Sequence, residues 1–170
     1  GLVLQAGLAW REVVILRAFC KYLRQAGITF SQVYMEQTLA NNSALARLII
    51  DLFLTTFDPA MQSQGGKDSQ HRATQIRKKF MDGLDQVSSA DEDRILRRFI
   101  NVVDSILRTN FFQQTEDGEP KAYLSFKLDS RNIDELPLPR PLREIFVYSP
   151  RVEGIHLRFG MVARGGLRWS

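Results

Sequence analysis

The sequence is poor in the residues on which metal centres, disulfides and nucleophilic enzymes depend. Among 170 residues there are one cysteine, Cys20, and two histidines, His71 and His156. A single cysteine cannot form an internal disulfide and fits a reducing compartment, so we expect a cytoplasmic protein. Cys20 lies in an apolar helical stretch, which predicts a buried structural thiol. No histidine lies at ligand spacing from other metal-binding residues, so we expect no metal site.

Several sequence signatures of other protein classes are also missing. No apolar run reaches the ~18 residues of a membrane-spanning helix, and no basic segment precedes the opening apolar residues as in a signal peptide. We therefore expect no membrane partner. The sequence contains neither Gly-x-Ser-x-Gly nor Gly-x-Gly-x-x-Gly, so neither a hydrolase elbow nor a dinucleotide-binding turn is indicated. The lack of an initiator methionine and the abrupt end at Trp169 and Ser170 predict a piece of a longer polypeptide.

Positive charge is concentrated at the C-terminal end. The whole chain carries a net charge of +4, and residues 131–170 contribute most of it with seven arginines, no lysine and four acidic residues. A positive field at this end favours an anion. Because the bases are all arginine, specific forked contacts are favoured over loose attraction to a polyanion.

The first 110 residues show the apolar spacing of amphipathic helices, with apolar positions three and four residues apart. Five helices are predicted: one over about residues 7–26, one from a Ser31 cap to about residue 40, one from a cap at 41–43 to Asp58, one after a polar, glycine-rich loop at 61–69, and one from a capping box at 89–92 through Leu107 and Arg108. The third is apolar on nearly every side, apart from Arg47 and Asp51, so we expect it at the centre of a bundle.

The periodicity changes from helical to alternating near Asn110. Residues 122–128 alternate between apolar and polar side chains, as in a strand with one buried face. Three prolines between residues 137 and 141 interrupt regular pairing, and residues 144–148 and 154–159 are predicted as the second and third strands.

Helices followed by strands predict an α+β fold. We expect an N-terminal bundle of about five helices followed by a small, incomplete, mostly antiparallel β region. The corresponding division is a helical bundle segment at residues 1–110 and a β-rich segment at residues 111–170.

Two basic clusters are candidates for anion binding. The first is a stripe on the fourth and fifth helices, at Arg72, Arg77, Lys78, Lys79, Arg94, Arg97, Arg98 and Arg108. Acidic residues interleave with this stripe and no aromatic stacking platform accompanies it, so a solvated helical face is favoured over a nucleic-acid site. The second is residues 164–168, where two glycines let the backbone approach a ligand and two arginines suit a carboxylate or phosphate. Taken alone, the glycine pair is more typical of a bulge or turn.

The C-terminal stretch also resembles a known family. Residues 150–158 and 162–170 are similar to the large NAD-dependent glutamate dehydrogenases of bacteria. The resemblance continues in order through residues 8–12, 21–25, 91–99, 108–112, 123–128 and 136–141. It implies an internal fragment of a longer enzyme that oxidises L-glutamate to 2-oxoglutarate and ammonia with NAD. We also expect a homo-oligomer with no nucleic-acid partner.

The resemblance implies that one edge of a glutamate pocket lies at Arg164, Gly165, Gly166 and Arg168. Smaller glutamate dehydrogenases begin this pocket with a Lys-Gly-Gly-x-Arg stretch, whose lysine holds a substrate carboxylate. Arg164 stands where that lysine stands, and a guanidinium binds a carboxylate with a different geometry. Met161 departs from the family, which often has a basic residue there.

The family's catalytic lysine, catalytic aspartate and dinucleotide-binding fold lie in later stretches. The resemblance therefore implies that this chain contains no catalytic and no NAD-binding residue, and that it is inactive alone. Two alternatives stay open. The helical segment could be a non-catalytic interaction or oligomerisation module, inside the enzyme or apart from it. An independent anion- or nucleic-acid-binding domain is less favoured, and its affinity would fall steeply with salt.

Overall fold

The computed structural model describes residues 7–62, 66–133, 143–149, 153–159 and 162–169. The helices are α1 Trp10–Gln25, α2 Gln32–Asn41, α3 Ser43–Phe57, α4 Pro59–Gln62, α5 Gly66–Leu84 and α6 Ala90–Ser105. The strands are β1 Ile106–Thr109, β2 Leu124–Asp129, β3 Arg143–Tyr148, β4 Glu153–Phe159 and β5 Val162–Trp169, with a 3-10 turn at Ser130–Asn132 after β2. Helices precede strands, so the predicted α+β fold is confirmed.

Most helix ends lie at the predicted capping residues. The hydroxyls of Ser31 and Ser89 each accept a hydrogen bond from the backbone N–H three residues later, at 3.0 and 3.2 Å. Gly27 follows the end of α1 with a φ of 103°, which glycine adopts without strain. Asn42 precedes α3 as predicted, but its side-chain amide donates to the carbonyl of Thr38 in the preceding helix and does not cap α3.

Two predicted boundaries are wrong. A loop was predicted over residues 61–69, but α4 runs through Gln62 and α5 begins at Gly66, and only residues 63–65 lie outside the described part. The fifth predicted helix includes Leu107, whereas α6 ends before Ile106, the first residue of β1. Ile106 is buried and Leu107 is 43% exposed, and the pairing of Ile106, Arg108 and Thr109 with β2 makes this segment a strand.

The five strands form one sheet in the order β1-β2-β3-β4-β5, with every neighbouring pair antiparallel. The three predicted strands correspond to β2, β3 and β4, while β1 and β5 were not predicted. Pairing is regular between β2 and β3 and between β3 and β4, and the register shifts in the two outer pairs. The predicted proline interruption lies outside the described residues.

One hydrophobic core joins the helices to the sheet. Phe53 of α3 is fully buried, as expected for a central helix. Its ring packs at centroid distances of 5.3–6.3 Å against the rings of Phe19, Phe57, Phe111, Phe112 and Phe126. Because Phe126 belongs to β2 and Phe19 to α1, the helices and the strands fold around shared side chains.

The two interior charges of α3 form an ion pair that also joins two helices. Arg47 contacts Asp51 one turn later at 2.9 Å and Glu12 of α1 at 3.1 Å. Burial lowers the pKa of Arg47, but the hydrogen bonds that Arg47 donates to these two carboxylates outweigh it and leave the pKa raised. The pair therefore fixes α1 against the central helix at the edge of the core. The division at residue 110 stays a prediction.

Candidate functional site

The candidate anion-binding segment, residues 164–168, lies inside β5. This strand is the last in the described sheet and pairs on one side with β4. Arg168 takes part in regular pairing, opposite Ile155. Met161, the residue that departs from the family pattern, lies outside the described residues.

Pairing between β4 and β5 is interrupted at the candidate segment. Ala163 pairs with Arg158, and Leu167 pairs with His156. Between these two pairs β5 contains three residues where β4 contains one, so the backbone of β5 forms a bulge.

The bulge consists of Arg164, Gly165 and Gly166, opposite Leu157 of β4. Glycine within a strand is typical of a bulge or of a place where a ligand approaches the backbone. Bulges are enriched next to active sites because they bend the strand and redirect its residues. The structure thus separates Arg164, which lies in the bulge, from Arg168, which lies in the regular ladder.

Two other arginines of the positive C-terminal region are paired with one carboxylate. Asp129, at the end of β2, contacts Arg131 at 2.9 Å and Arg143 of β3 at 3.3 Å. The hydrogen bond from Arg131 is the main cause that holds the pKa of Asp129 below its usual value. These two arginines therefore have a structural partner.

The basic helical stripe is also partly neutralised. Arg97 forms an ion pair with Asp93 one turn earlier at 2.8 Å, and Arg77 of α5 pairs with Asp104 of α6. The hydrogen bond that Arg97 donates to Asp93 raises the pKa of Arg97. These contacts favour the solvated, salt-bridged face over a nucleic-acid site.

Cys20 has the environment of a structural thiol. It is fully buried in α1, and burial raises the pKa of the thiol far above its usual range. Because only the thiolate is a good nucleophile, Cys20 is inert in the folded chain. Among the residues that the structure describes, no cluster of three or more histidine, cysteine or carboxylate side chains could hold a metal ion.

A groove between the start of α1 and β2 had no signal in the sequence. The groove has a volume of about 200 Å³, and its lining includes Trp10, Arg11, Asn110, Phe111, Lys121 and Tyr123. The guanidinium carbon of Arg11 lies 4.1 Å from the centroid of the Phe111 ring, and Arg11 donates to the carbonyl of that residue. The charged fork of Arg11 is thus engaged within the fold.

No sequence pattern indicated the buried polar pair of Tyr22 and Glu144. The hydroxyl of Tyr22 in α1 donates to Oε1 of Glu144 in β3 at 3.0 Å, with the two residues 1% and 2% exposed. Burial, followed by the nearby carboxylate, raises the pKa of Tyr22 well above its usual value. Tyr22 therefore remains a hydrogen-bond donor over the whole physiological pH range.

No described helix is both long and apolar enough to cross a membrane.

The chain matches two families along its length. The catalytic domain of bacterial NAD-glutamate dehydrogenase matches residues 79–170, and helical motif 3 of glutamate dehydrogenase matches residues 1–59. The first match begins within α5, before the predicted boundary at residue 110.

Individual relatives agree with these family matches. The NAD-specific glutamate dehydrogenase of Mycobacterium tuberculosis is 51% identical over 172 residues, which cover 99% of this chain and 10% of that protein. The NAD-specific glutamate dehydrogenase of Pseudomonas aeruginosa is 46% identical over 169 residues with the same coverage. That of Neurospora crassa is 37% identical over 83 residues, or 48% of this chain.

An α+β chain in which helices support an antiparallel sheet with an Arg-Gly-Gly bulge thus matches a dehydrogenase catalytic domain. The chain belongs to the bacterial NAD-glutamate dehydrogenase family, as its motifs predicted. It spans about a tenth of the length of the curated bacterial relatives it matches.

Proposed function

We propose that the protein containing this chain oxidises L-glutamate to 2-oxoglutarate and ammonia with NAD. This chain contributes one edge of the glutamate pocket and the helices that pack against the sheet. The observation that carries the proposal is the bulge at Arg164, Gly165 and Gly166 in a chain of this family. The bulge joins a forked cation to a backbone that a ligand can approach closely.

In this proposal Arg164 binds a substrate carboxylate. A guanidinium can donate two parallel N–H bonds to the two oxygens of a carboxylate, which fixes the orientation of the ligand as well as its position. Gly165 and Gly166 add no Cβ that would hold the substrate away from the strand. Arg168, two positions after the bulge, adds positive charge at the same strand and strengthens the attraction for a substrate with two carboxylates.

The described residues do not fit NAD. A dinucleotide-binding fold needs parallel strands joined by helical crossovers with a glycine-rich turn. The described strands are antiparallel and follow one another in sequence order. NAD, when bound to the parent enzyme, accepts the hydride, and we propose that the residues that hold it and transfer protons lie elsewhere in the parent.

The helices have a supporting role in the proposal. The ring of Phe19 in α1 lies 5.2 Å from that of Phe126 in β2, and the ring of Tyr22 lies 5.7 Å from that of Phe146 in β3. Because these contacts form a shared core, a separate helical interaction module is less favoured. We retain the division into residues 1–110 and 111–170 as a proposal, with the first segment supporting the second.

Activity assays with two proteins test the proposed function. The full-length polypeptide should form NADH from L-glutamate and NAD, and should consume NADH when given 2-oxoglutarate and ammonium. The 170-residue chain alone should do neither at equal molar concentration, because it has no dinucleotide fingerprint. NADH formation by the isolated chain would contradict the proposal. So would a folded full-length polypeptide that forms no NADH in an assay where the full-length enzyme of a relative, the positive control, is active.

We also propose that the parent is a cytoplasmic homo-oligomer. For the isolated chain we expect self-association, because β1 and β5 are the outer strands of the described sheet and each pairs on one side only within it. Unpaired strand edges promote pairing between copies. Sedimentation velocity at roughly tens of micromolar should show dimers or larger species, and a strictly monomeric profile would refute the expectation.

A further inference from the structure

The buried pair of Tyr22 and Glu144 lies in the same row of the sheet as the bulge. Glu144 pairs across the ladder with Leu157 of β4. Leu157 is the residue opposite the three bulged residues of β5. Neighbouring strands are about 4.8 Å apart, so the backbone of Glu144 is about 10 Å from the bulge along this row.

Regular pairing connects the strand that contains Glu144 to the strand opposite the bulge. β3 and β4 pair over six consecutive residues, from Arg143 with Arg158 to Tyr148 with Glu153, and the register does not shift. The position of β3 along the helices therefore determines the position of β4, and the register shifts at the next pair, between β4 and β5.

The contact between α1 and β3 combines apolar and polar parts with different effects. Tyr22 packs its ring against Phe146 at 5.7 Å, and such apolar contacts are not directional. The hydrogen bond from Tyr22 to Glu144 has a defined length and angle. Burial of a carboxylate is costly unless it is hydrogen-bonded, and Tyr22 donates such a bond to Glu144.

We propose that Tyr22 and Glu144 are positioning residues for the carboxylate-binding bulge. Their hydrogen bond fixes the position of β3 along the axis of α1. The regular pairing of β3 with β4 then fixes β4, the strand opposite Arg164 and the rest of the bulge. The inference rests on the proposed function, because it assigns a purpose to the position of the glutamate pocket. It also gives the helical part of the chain a specific role in substrate binding.

The test replaces Tyr22 with phenylalanine in the full-length dehydrogenase. Tyr22→Phe keeps the ring and its packing and removes one hydrogen bond to Glu144. We expect KM for glutamate to rise about five- to tenfold, with kcat within about twofold and KM for NAD unchanged, since a shift of 1 Å can cost up to ~100-fold in rate. Steady-state kinetics with each substrate varied in turn gives the three values.

A matched control removes a buried hydrogen bond far from the sheet. The hydroxyl of Ser69 in α5 donates to the carbonyl of Thr55 in α3 at 2.9 Å and is buried. Ser69→Ala should lower thermal stability by an amount similar to Tyr22→Phe and leave KM for glutamate unchanged. Equal KM values in the two variants would overturn the positioning role and leave only a structural one.

Amide hydrogen exchange gives a second readout that does not depend on activity. In the full-length protein, Tyr22→Phe should speed exchange in residues 153–159 and 162–169 more than Ser69→Ala does, and equal exchange would count against the inference. Arg164→Ala separates the two levels of the proposal. If it raises KM while Tyr22→Phe does not, only the positioning role fails; if neither raises KM, the assignment of the pocket fails.

Discussion

Replacement of Arg164 by alanine in the full-length dehydrogenase should lower kcat/KM for L-glutamate about 100-fold, mostly through KM. A hydrogen bond to a charged group contributes about 1.5–3 kcal/mol, and a forked arginine–carboxylate contact contains two of them. A loss of about 2.7 kcal/mol corresponds to a factor of about 100. Because we propose that Arg164 holds the substrate and does not move a proton or hydride, kcat should fall much less. Initial rates over a range of glutamate concentrations measure both values.

Two further variants make this result specific. Arg164→Lys keeps the charge and restores the residue type of the smaller glutamate dehydrogenases, so about tenfold of the loss should be recovered, which is 1.4 kcal/mol. Arg97→Ala removes an exposed arginine that pairs with Asp93 in α6, and it should leave KM for glutamate unchanged. A KM for Arg164→Ala within twofold of the wild-type value would exclude Arg164 from the pocket.

Phe53→Ala should lower the free energy of unfolding of the 170-residue chain by about 4 kcal/mol. Removal of a buried phenylalanine costs about 3–5 kcal/mol, because transfer energy is lost and a cavity remains. Phe53 is closely packed, since its ring contacts five other rings. These belong to the helices, to β2 and to the segment between β1 and β2. Urea denaturation followed by circular dichroism gives the change.

The control for this prediction is an exposed apolar residue. Val33 of α2 is 74% exposed, and Val33→Ala should change the free energy of unfolding by less than about 0.5 kcal/mol. A loss below about 2 kcal/mol for Phe53→Ala would mean that the helices and the sheet do not share one core.

The helices and β2 could be predicted because their signals are local. Ser31, Ser89 and Gly27 act within a few residues of their own positions, and the apolar residues on nearly every side of α3 identified it as the central helix. The alternation in β2 placed Leu124, Phe126 and Leu128 on the buried face, where the structure has them. These features depend on propensity and pattern, which a single sequence contains.

The outer strands could not be predicted because pairing with distant residues decides them. Ile106 and Leu107 continue the apolar spacing of α6, and only the ladder with β2 converts them to a strand. A tertiary contact of this kind overrides local propensity. For β5, the glycine pair predicted a bulge or turn, and the backbone has the bulge inside a strand.

The residues of the candidate site come from the sequence and stay a prediction, whereas the contacts that support them have no signal in the sequence. The resemblance selected Arg164 and the glycine pair, while their place at the end of an antiparallel sheet came from the structure. The contact between Tyr22 and Glu144 joins positions 122 residues apart. Neither residue has a local signal, because Tyr22 lies among the apolar positions of a helix and Glu144 lies near the start of a strand.

The most direct test of this account is a structure of the full-length enzyme with 2-oxoglutarate bound. We predict that the guanidinium of Arg164 lies about 2.8 Å from an oxygen of a substrate carboxylate, the distance of a charge-assisted N–H···O bond. The bulge at residues 164–166 should form the adjoining wall. A substrate whose carboxylates are both held by other residues, with Arg164 outside hydrogen-bond distance, would contradict the account.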